Sequence, residues 1–313
     1  LLLLIAYPPR PAAWWSGLAI GAISGAALAL WQLLALDMDR PQAATSNAIH
    51  YGNVSMLFGM LALCGLGWAR EQKHRLAWSL LLLAGGLTGI LGSIISGSRG
   101  GWLALAVCGC LFAYYYSKGR GVRYLLALLA ALLAVFVLAY TLPNSGVPQR
   151  VAVAVTDIKQ YQSNDNVTTS IGQRIEMWRT AWSLSGRHIW LGLGRSGYMA
   201  AKQQLAEEGK MDKMIKDHTN AHNDYLDALV KRGITGVMAL LALFLVPLTL
   251  FARSVRHSAA PAQPYALAGV ILCTCYMIFG LTTSSLTLNI GIIMLAFPMV
   301  ILWAMLRHQE RTS

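Results

Sequence analysis

The sequence predicts an all-α polytopic membrane protein with one large water-facing insert. Of its 313 residues, 56% are hydrophobic and only 12% charged, with a mean hydropathy of +0.51. Soluble domains carry roughly 25% charge, so a simple soluble enzyme is excluded. The charges are also uneven, since 12 of the 25 basic and 9 of the 13 acidic residues fall between Thr141 and Arg232. Elsewhere they form short islands between apolar runs, most of them long enough to cross a hydrocarbon core of about 30 Å.

The runs are Ala12 to Leu36, Tyr51 to Trp68, Leu76 to Ile95, Trp102 to Tyr116, Tyr124 to Leu142, Gly233 to Phe251, Tyr265 to Leu281 and Leu286 to Leu306. They give about eight helices and three regions: N-terminal transmembrane helices (1–140), the insert (141–232), and C-terminal transmembrane helices with a short tail (233–313). Leu1 to Tyr7 is too short to cross and has no Met before it, so it reads as the tail of a helix that begins upstream.

Short cytoplasmic loops carry the excess Lys and Arg. Arg70, Lys73 and Arg75, then Lys118, Arg120 and Arg123, then Arg253 and Arg256, then Arg307 and Arg311 all fall on one side of the helix count. The insert is therefore expected outside. Trp14, Trp15, Trp68, Trp78, Trp102 and Trp303 lie near predicted helix ends, where headgroup-level rings belong. The net charge of +12 is then largely an orientation signal, and no basic run suggests nucleic acid.

Cys64, Cys108, Cys110, Cys273 and Cys275 all fall in predicted spans, so no disulfide framework is expected. Residues two apart on a helix point to nearly opposite sides, so neither Cys-x-Cys pair can chelate one metal. No acidic residue lies inside a predicted span, which disfavours a proton- or sodium-coupled transporter.

Arg99, in Ser96-Gly97-Ser98-Arg99-Gly100-Gly101, is expected in an outer turn with no carboxylate beside it. It wants an anion. The glycines would let backbone approach a ligand, and the short following run suggests a turn dipping into the membrane. A snorkelling, solvated arginine is the bland alternative.

In the insert, Ser170-Ile171-Gly172-Gln173 has the form of a capping box, with Ser170 as N-cap. Ile171, Ile175, Trp178 and Trp182 then mark one apolar face for packing on the membrane domain, with Arg174 beside it. Gly192-Leu193-Gly194-Arg195-Ser196-Gly197 matches G-x-G-x-x-G but lacks the strand and βαβ unit of a dinucleotide site, so the glycines read as a turn. Ser98 lies in no G-x-S-x-G elbow, which disfavours a serine hydrolase.

His218-Thr219-Asn220-Ala221-His222-Asn223-Asp224-Tyr225 sits just before the span that starts at Gly233. His218 and His222 at i, i+4 would suit a metal on a helix, with Asp217 or Asp224 as third ligand. The alternative is a general base, since imidazole titrates near neutral pH and an adjacent Asn or Asp can orient it.

Together, Ser98-Arg99-Gly100, Gly172-x-Arg174-x-x-x-Trp178-x-x-Ala181, Gly192-x-Gly194 and His222-Asn223 with Gly233 and Gly236 resemble the O-antigen ligase family, WaaL-type, related to O-antigen polymerases. The specific element is His-Asn, nine residues, then Gly-x-x-Gly. The resemblance implies a GT-C-type transmembrane bundle with a mainly helical periplasmic insert, and a metal-independent, inverting glycosyltransferase at the periplasmic face of the bacterial inner membrane.

The implied donor is a polysaccharide on undecaprenyl pyrophosphate, and the implied acceptor is a sugar hydroxyl of lipid A-core in lipopolysaccharide assembly. By motif match, Arg99 and Arg174 would bind the pyrophosphate and His222 would be the catalytic base. His218, Asn223, Tyr225, Arg195 and Arg40 are further candidates to support those three side chains. No cofactor, metal or nucleic acid is implied, and the enzyme is expected to act as a monomer in the bilayer, with both lipid-linked substrates entering sideways. Rival readings are an O-antigen polymerase, a protein O-oligosaccharyltransferase, or a non-catalytic polysaccharide-lipid exporter or flippase. The oligosaccharyltransferases often add a soluble C-terminal domain, whereas here the chain ends seven residues after Leu306.

Overall fold

The computed structural model describes residues 2–45, 47–117, 121–141, 152–153, 155–159 and 169–312. Lys118 and Arg120 of the expected inner loop lie outside the described residues, as does much of the first third of the insert. Every regular element among the described residues is a helix, with no strand. The chain divides into two compact units, Leu1–Cys108 with Leu241–Ser313, and Gly109–Leu240.

The first unit opens with α1 (Leu2–Ala6), α2 (Pro11–Ala35), α3 (Ala48–Cys64), α4 (Leu66–Ala69) and α5 (Arg75–Ser96). Pro11 starts α2 where its missing N–H costs nothing. Asn47 caps α3 by accepting from the Ile49 N–H at 2.7 Å. Gly97, left-handed at φ 70°, ends α5 and lets α6 (Arg99–Ser117) begin two residues later.

Helix α5 is inside-out by the standards of water. Leu76, Leu80, Leu83, Leu87 and Leu91 form its exposed stripe, while Gly85, Gly86, Gly89, Gly92, Ser93 and Ser96 are buried. This is what a lipid solvent selects: hydrocarbon supplies no hydrophobic drive between helices, so small residues bring backbones together for dispersion contacts. A Cβ on Gly89 would stand 2.6 Å from the Gly59 Cα and the Ser55 carbonyl oxygen, and one on Gly85 2.6 Å from the Ala19 Cα. Interhelical hydrogen bonds run through the same contact, from Ser55 Oγ to the Gly89 carbonyl (2.9 Å) and from Tyr51 Oη to the Gly25 carbonyl (3.0 Å).

After α7 (Val122–Thr141), the insert contributes α8 (Ser170–Ser185) and α9 (Gly194–Glu207). Then α10 (Asp224–His257), α11 (Gln263–Thr282) and α12 (Asn289–Thr312) follow. Seven helical segments among the described residues are long and apolar enough to cross a membrane: α2, α3 with α4, α5, α6, α10, α11 with its preceding turn, and α12. The remaining expected run, Tyr124 to Leu142, falls on α7, with Leu142 outside the described residues. Helix α10 starts nine residues earlier than expected, and its two segments meet at non-helical Gly233.

The tryptophans do not all occupy a headgroup belt. Trp15 is fully buried and stacks on Tyr265 at 5.5 Å, and Trp68 is buried edge-to-face with Trp78 at 4.9 Å. Helix ends in this bundle are packed against one another, so position along a span does not by itself put a ring at the interface. The cysteines bring a second surprise: Cys108 on α6 meets Cys275 on α11 at 3.6 Å between sulfurs, and all five are free thiols.

Two clusters of buried side chains lie in the second unit. Ala181 of α8, Tyr198 of α9, Ala221 and Val230 form one cluster; Met177, Ala206, Met211 and Ile215 form another. The face α8 turns to this core is therefore Gly172, Met177, Ala181 and Ser185, whereas Trp182 is 67% exposed. The apolar stripe of Ile171, Ile175, Trp178 and Trp182 is not part of these clusters; small residues allow closer helix approach than indole rings would.

Candidate functional site

Two places carry the candidate side chains, one in each unit. In the first, the α5–α6 turn is fixed from inside. Ser98, 1% exposed, donates its hydroxyl to Asn53 Oδ1 on α3 at 2.7 Å, and its N–H bonds Ser96 Oγ at 3.2 Å. Arg99, half-buried, is then the first residue of α6 and not a loop residue. A helix N-terminus with its free N–H groups favours an anion. The glycines beside it serve packing: a Cβ on Gly100 would collide with Thr282 Oγ1, and one on Gly101 with Ser93 Oγ. Arg40 is exposed in the α2–α3 loop, whose backbone Gln32 fastens through the N–H groups of Gln42 (3.0 Å) and Ala43 (2.8 Å).

In the second unit, His218, His222, Asn223 and Tyr225 come together at the start of α10. Residues 217–223 are not helical, so the i, i+4 spacing does not stack the two imidazoles on one helix face; the rings meet edge-to-face at 6.0 Å. Asn223 is the cap of α10, its Oδ1 accepting from the N–H groups of Tyr225 (3.0 Å) and Leu226 (3.1 Å). That oxygen caps the helix. Immediately before it, His222 is half-buried with φ 48°, a left-handed conformation uncommon for a non-glycine residue, and its N–H is taken by Asn220 Oδ1 at 3.1 Å.

Such a conformation persists only where its surroundings enforce it, and it clusters at functional sites. Here the enforcing groups are charged. Lys202 of α9, fully buried, donates its ammonium to the His218 carbonyl. Lys231 of α10 donates to the Thr219 carbonyl at 2.9 Å and pairs with Asp227 at 2.7 Å. The other Asp227 oxygen accepts from the Ala221 N–H at 3.1 Å. The backbone of His218, Thr219 and Ala221 is thus held by charged side chains. Between the lysines lies the Tyr198 ring, 5.2 Å from Lys202 and 5.6 Å from Lys231.

Burial and the neighbouring Lys231 push Lys202 down to about 8, against the pull of Asp217 and Asp227. Burial, and then Lys202, lower His218, which is therefore neutral at pH 7. Burial, and then Asp227, raise the Tyr198 phenol.

The insert glycines have a backbone explanation. Gly192 and Gly233 both have positive φ (70° and 64°) and lie against each other's strands of chain: a Cβ on Gly192 would strike Lys231 and Arg232 backbone, and one on Gly233 the Trp190 carbonyl. Hydrogen bonds from Leu193 N to the Val230 carbonyl (2.8 Å) and from Ile234 N to the Ile189 carbonyl (2.7 Å) complete the clip. The α8–α9 connection is pinned to the α10 kink, which anchors the base of the histidine loop.

Arg174, half-buried, lies one turn into α8. The helix is capped one residue earlier than expected: Thr169, extended at φ −85°, ψ 156°, accepts from the Gly172 N–H at 3.0 Å, leaving Ser170 as the first helical residue. Gly172 then occupies the position a capping-box Gln would need. Arg195 is exposed on the first turn of α9. Lys202, Lys231, Asp227 and Tyr198 were not singled out from the sequence. The Asp227/Lys231 spacing of four was a readable signal; nothing local marks Lys202 as buried.

These features define a multi-pass helical membrane protein whose insert presents a conformationally forced histidine. A sequence profile of the family described as O-antigen ligase matches residues 84–241, half of the chain, and the chain belongs to that family. The matched stretch contains Arg99, Arg174 and His222. An uncharacterized protein of Haemophilus influenzae is 26% identical over 268 residues, covering 84% of this chain and 66% of that protein. The chain thus spans just under two thirds of that relative's length.

Proposed function

We propose that this protein is an O-antigen ligase, moving a polysaccharide from undecaprenyl pyrophosphate to a sugar hydroxyl of lipid A-core at the periplasmic face of the inner membrane. The observation that carries the reading is His222, held left-handed by a loop fastened to two lysines, Lys202 buried and Lys231 partly so, within the stretch the family profile covers.

In the proposed reaction the acceptor oxygen attacks the anomeric carbon from the face opposite the pyrophosphate. The new C–O bond forms as the bond to the pyrophosphate oxygen breaks, with inversion. The hydroxyl proton passes to His222, and undecaprenyl pyrophosphate leaves carrying the electron pair. Pyrophosphate is already a good leaving group, so it needs charge compensation more than a proton. Guanidinium forks match its oxygens bidentately, the role assigned to Arg99 and Arg174. The His222 Nδ1 is buried, which leaves Nε2 for the proton. Asn223 and Tyr225 act through the helix cap, and His218 through the loop.

The test is transfer of lipid-linked polysaccharide to lipid A-core by purified protein. His222→Ala should cut transfer by about 10²–10⁴-fold, the usual worth of a positioned base, while donor binding is kept. Unchanged transfer would remove His222 as base. Transfer to a second lipid-linked repeat in place of lipid A-core would make the protein a polymerase.

A further inference from the structure

Outside the residues assigned above, the first unit contains a small polar recess that no part of the proposed chemistry uses. It is lined by His50, Asn53, Tyr276 and Ser285, with Leu57, Phe279 and Ile290 as apolar walls, and offers about 10 Å³, room for one water-sized group. Three helices begin around it. His50 and Asn53 occupy the first two turns of α3, Ser98 immediately precedes α6, and Ile290 and Gly291 lie in the first turn of α12. Each helix start carries partial positive charge.

A second observation, independent of the helix ends, points to a ligand. Asn53 is only 4% exposed, and its Oδ1 is engaged by Ser98 Oγ, which fixes the amide plane. Its Nδ2 is buried with no hydrogen-bond acceptor among the described residues. A donor so placed in an apolar wall is costly unless an oxygen meets it. The Tyr276 hydroxyl, which donates to the Gly291 carbonyl at 2.7 Å, is not bonded to that amide nitrogen. The lining contains no carboxylate to meet that donor, so an oxygen acceptor is the ligand the recess fits. Its size admits one oxygen and excludes a sugar ring.

We propose that Asn53 and His50 form a subsite for a single phosphoryl oxygen of the lipid-linked donor, next to Arg99 through the Ser98–Asn53 hydrogen bond. The inference rests on the reading of Arg99 as a pyrophosphate ligand. Both residues lie outside the stretch matched by the family profile.

The experiment measures binding of farnesyl pyrophosphate, and of farnesol as the phosphate-free probe, to the full chain in lipid nanodiscs. Asn53→Asp keeps the size and the acceptor for Ser98 but replaces the inward donor with a negative oxygen. Its affinity for farnesyl pyrophosphate should fall tenfold or more, the scale of one hydrogen bond to a charged group, with farnesol unaffected. His50→Ala should weaken the same probe in the same sense, and decides the matter if Asn53→Asp does not fold. Competition by inorganic pyrophosphate in the wild type, weakened in the variants, would identify the phosphoryl group as what the recess recognises; equal losses for farnesol would overturn that. If the recess variants bind normally while Arg99→Gln does not, the recess is only a water site and the proposal fails with the donor reading intact. If Arg99→Gln also binds normally, the donor reading fails as well.

Discussion

The α5–α6 turn and the histidine loop each hold a candidate residue in place, and they do it with opposite chemistry. In the unit that carries Arg99 the cement is the absence of side chains: Gly59 against Gly89, Gly85 against Ala19, Gly100 against Thr282, with neutral hydroxyls and amides closing the contacts. Around His222 it is charge, with Lys202, Lys231 and Asp227 all buried or nearly so and all spent on loop backbone. The solvent explains the contrast. In lipid a charge has no water to leave and helices gain little by hiding apolar surface, so close backbone contact does the work. A water-compatible insert can bring charges inside during folding, provided each finds a partner.

The largest effect should come from bulk in the first region. Gly89→Leu forces a side chain into the Gly59 backbone, which cannot move aside as a flexible side chain would. Gel filtration after detergent extraction should show loss of the monodisperse species, at any pH or salt. A well-behaved variant would mean that the α3–α5 contact is not what organises the unit.

Next is Asp227→Ala. It strands Lys231, whose side chain is 11% exposed, and removes the acceptor for the Ala221 N–H. Breaking a buried pair from one side costs about 3–5 kcal/mol, so the insert should become sensitive to limited proteolysis while the membrane helices stay protected. Asp227→Asn, which keeps an acceptor, should be milder.

The smallest change in stability, and the sharpest test of the contrast, is Lys202→Met. At pH 7 the lost hydrogen bond, worth about 1.5–3 kcal/mol when charged, is offset by relief of a buried ammonium, so the net shift should stay within about 1 kcal/mol. The pH dependence is the readout. The folded pKa of about 8 lies below the ordinary 10.5, so between those values the unfolded chain binds more protons and wild-type stability rises with pH. Thermal midpoints across that window should climb in the wild type and lose this slope in Lys202→Met. Parallel curves would show that Lys202 is not the titrating group.

Much of the architecture was legible in one dimension because hydrocarbon imposes its length requirement locally. The runs lie on long helices, and Gly97 and Gly233 fall where helices end or bend. Motif spacing likewise pointed to Arg99, Arg174 and His222. At α8 periodicity marked a face of four large apolar residues, whereas the face buried within the unit's own core is Gly172, Met177 and Ala181. Burial there follows closeness of approach, which hydropathy does not encode.

What the sequence marked alone was the apolar segments long enough to span a membrane and the candidate side chains, since composition and spacing are properties of the chain itself. What required the fold was how those side chains are held: Lys202 reaching the His218 carbonyl, Gly192 lodged against the Gly233 kink, Asn53 turned by Ser98 toward a recess. Each joins residues 16 to 45 positions apart. No local preference selects such a partner; it is chosen only when packing brings two distant stretches of backbone into contact.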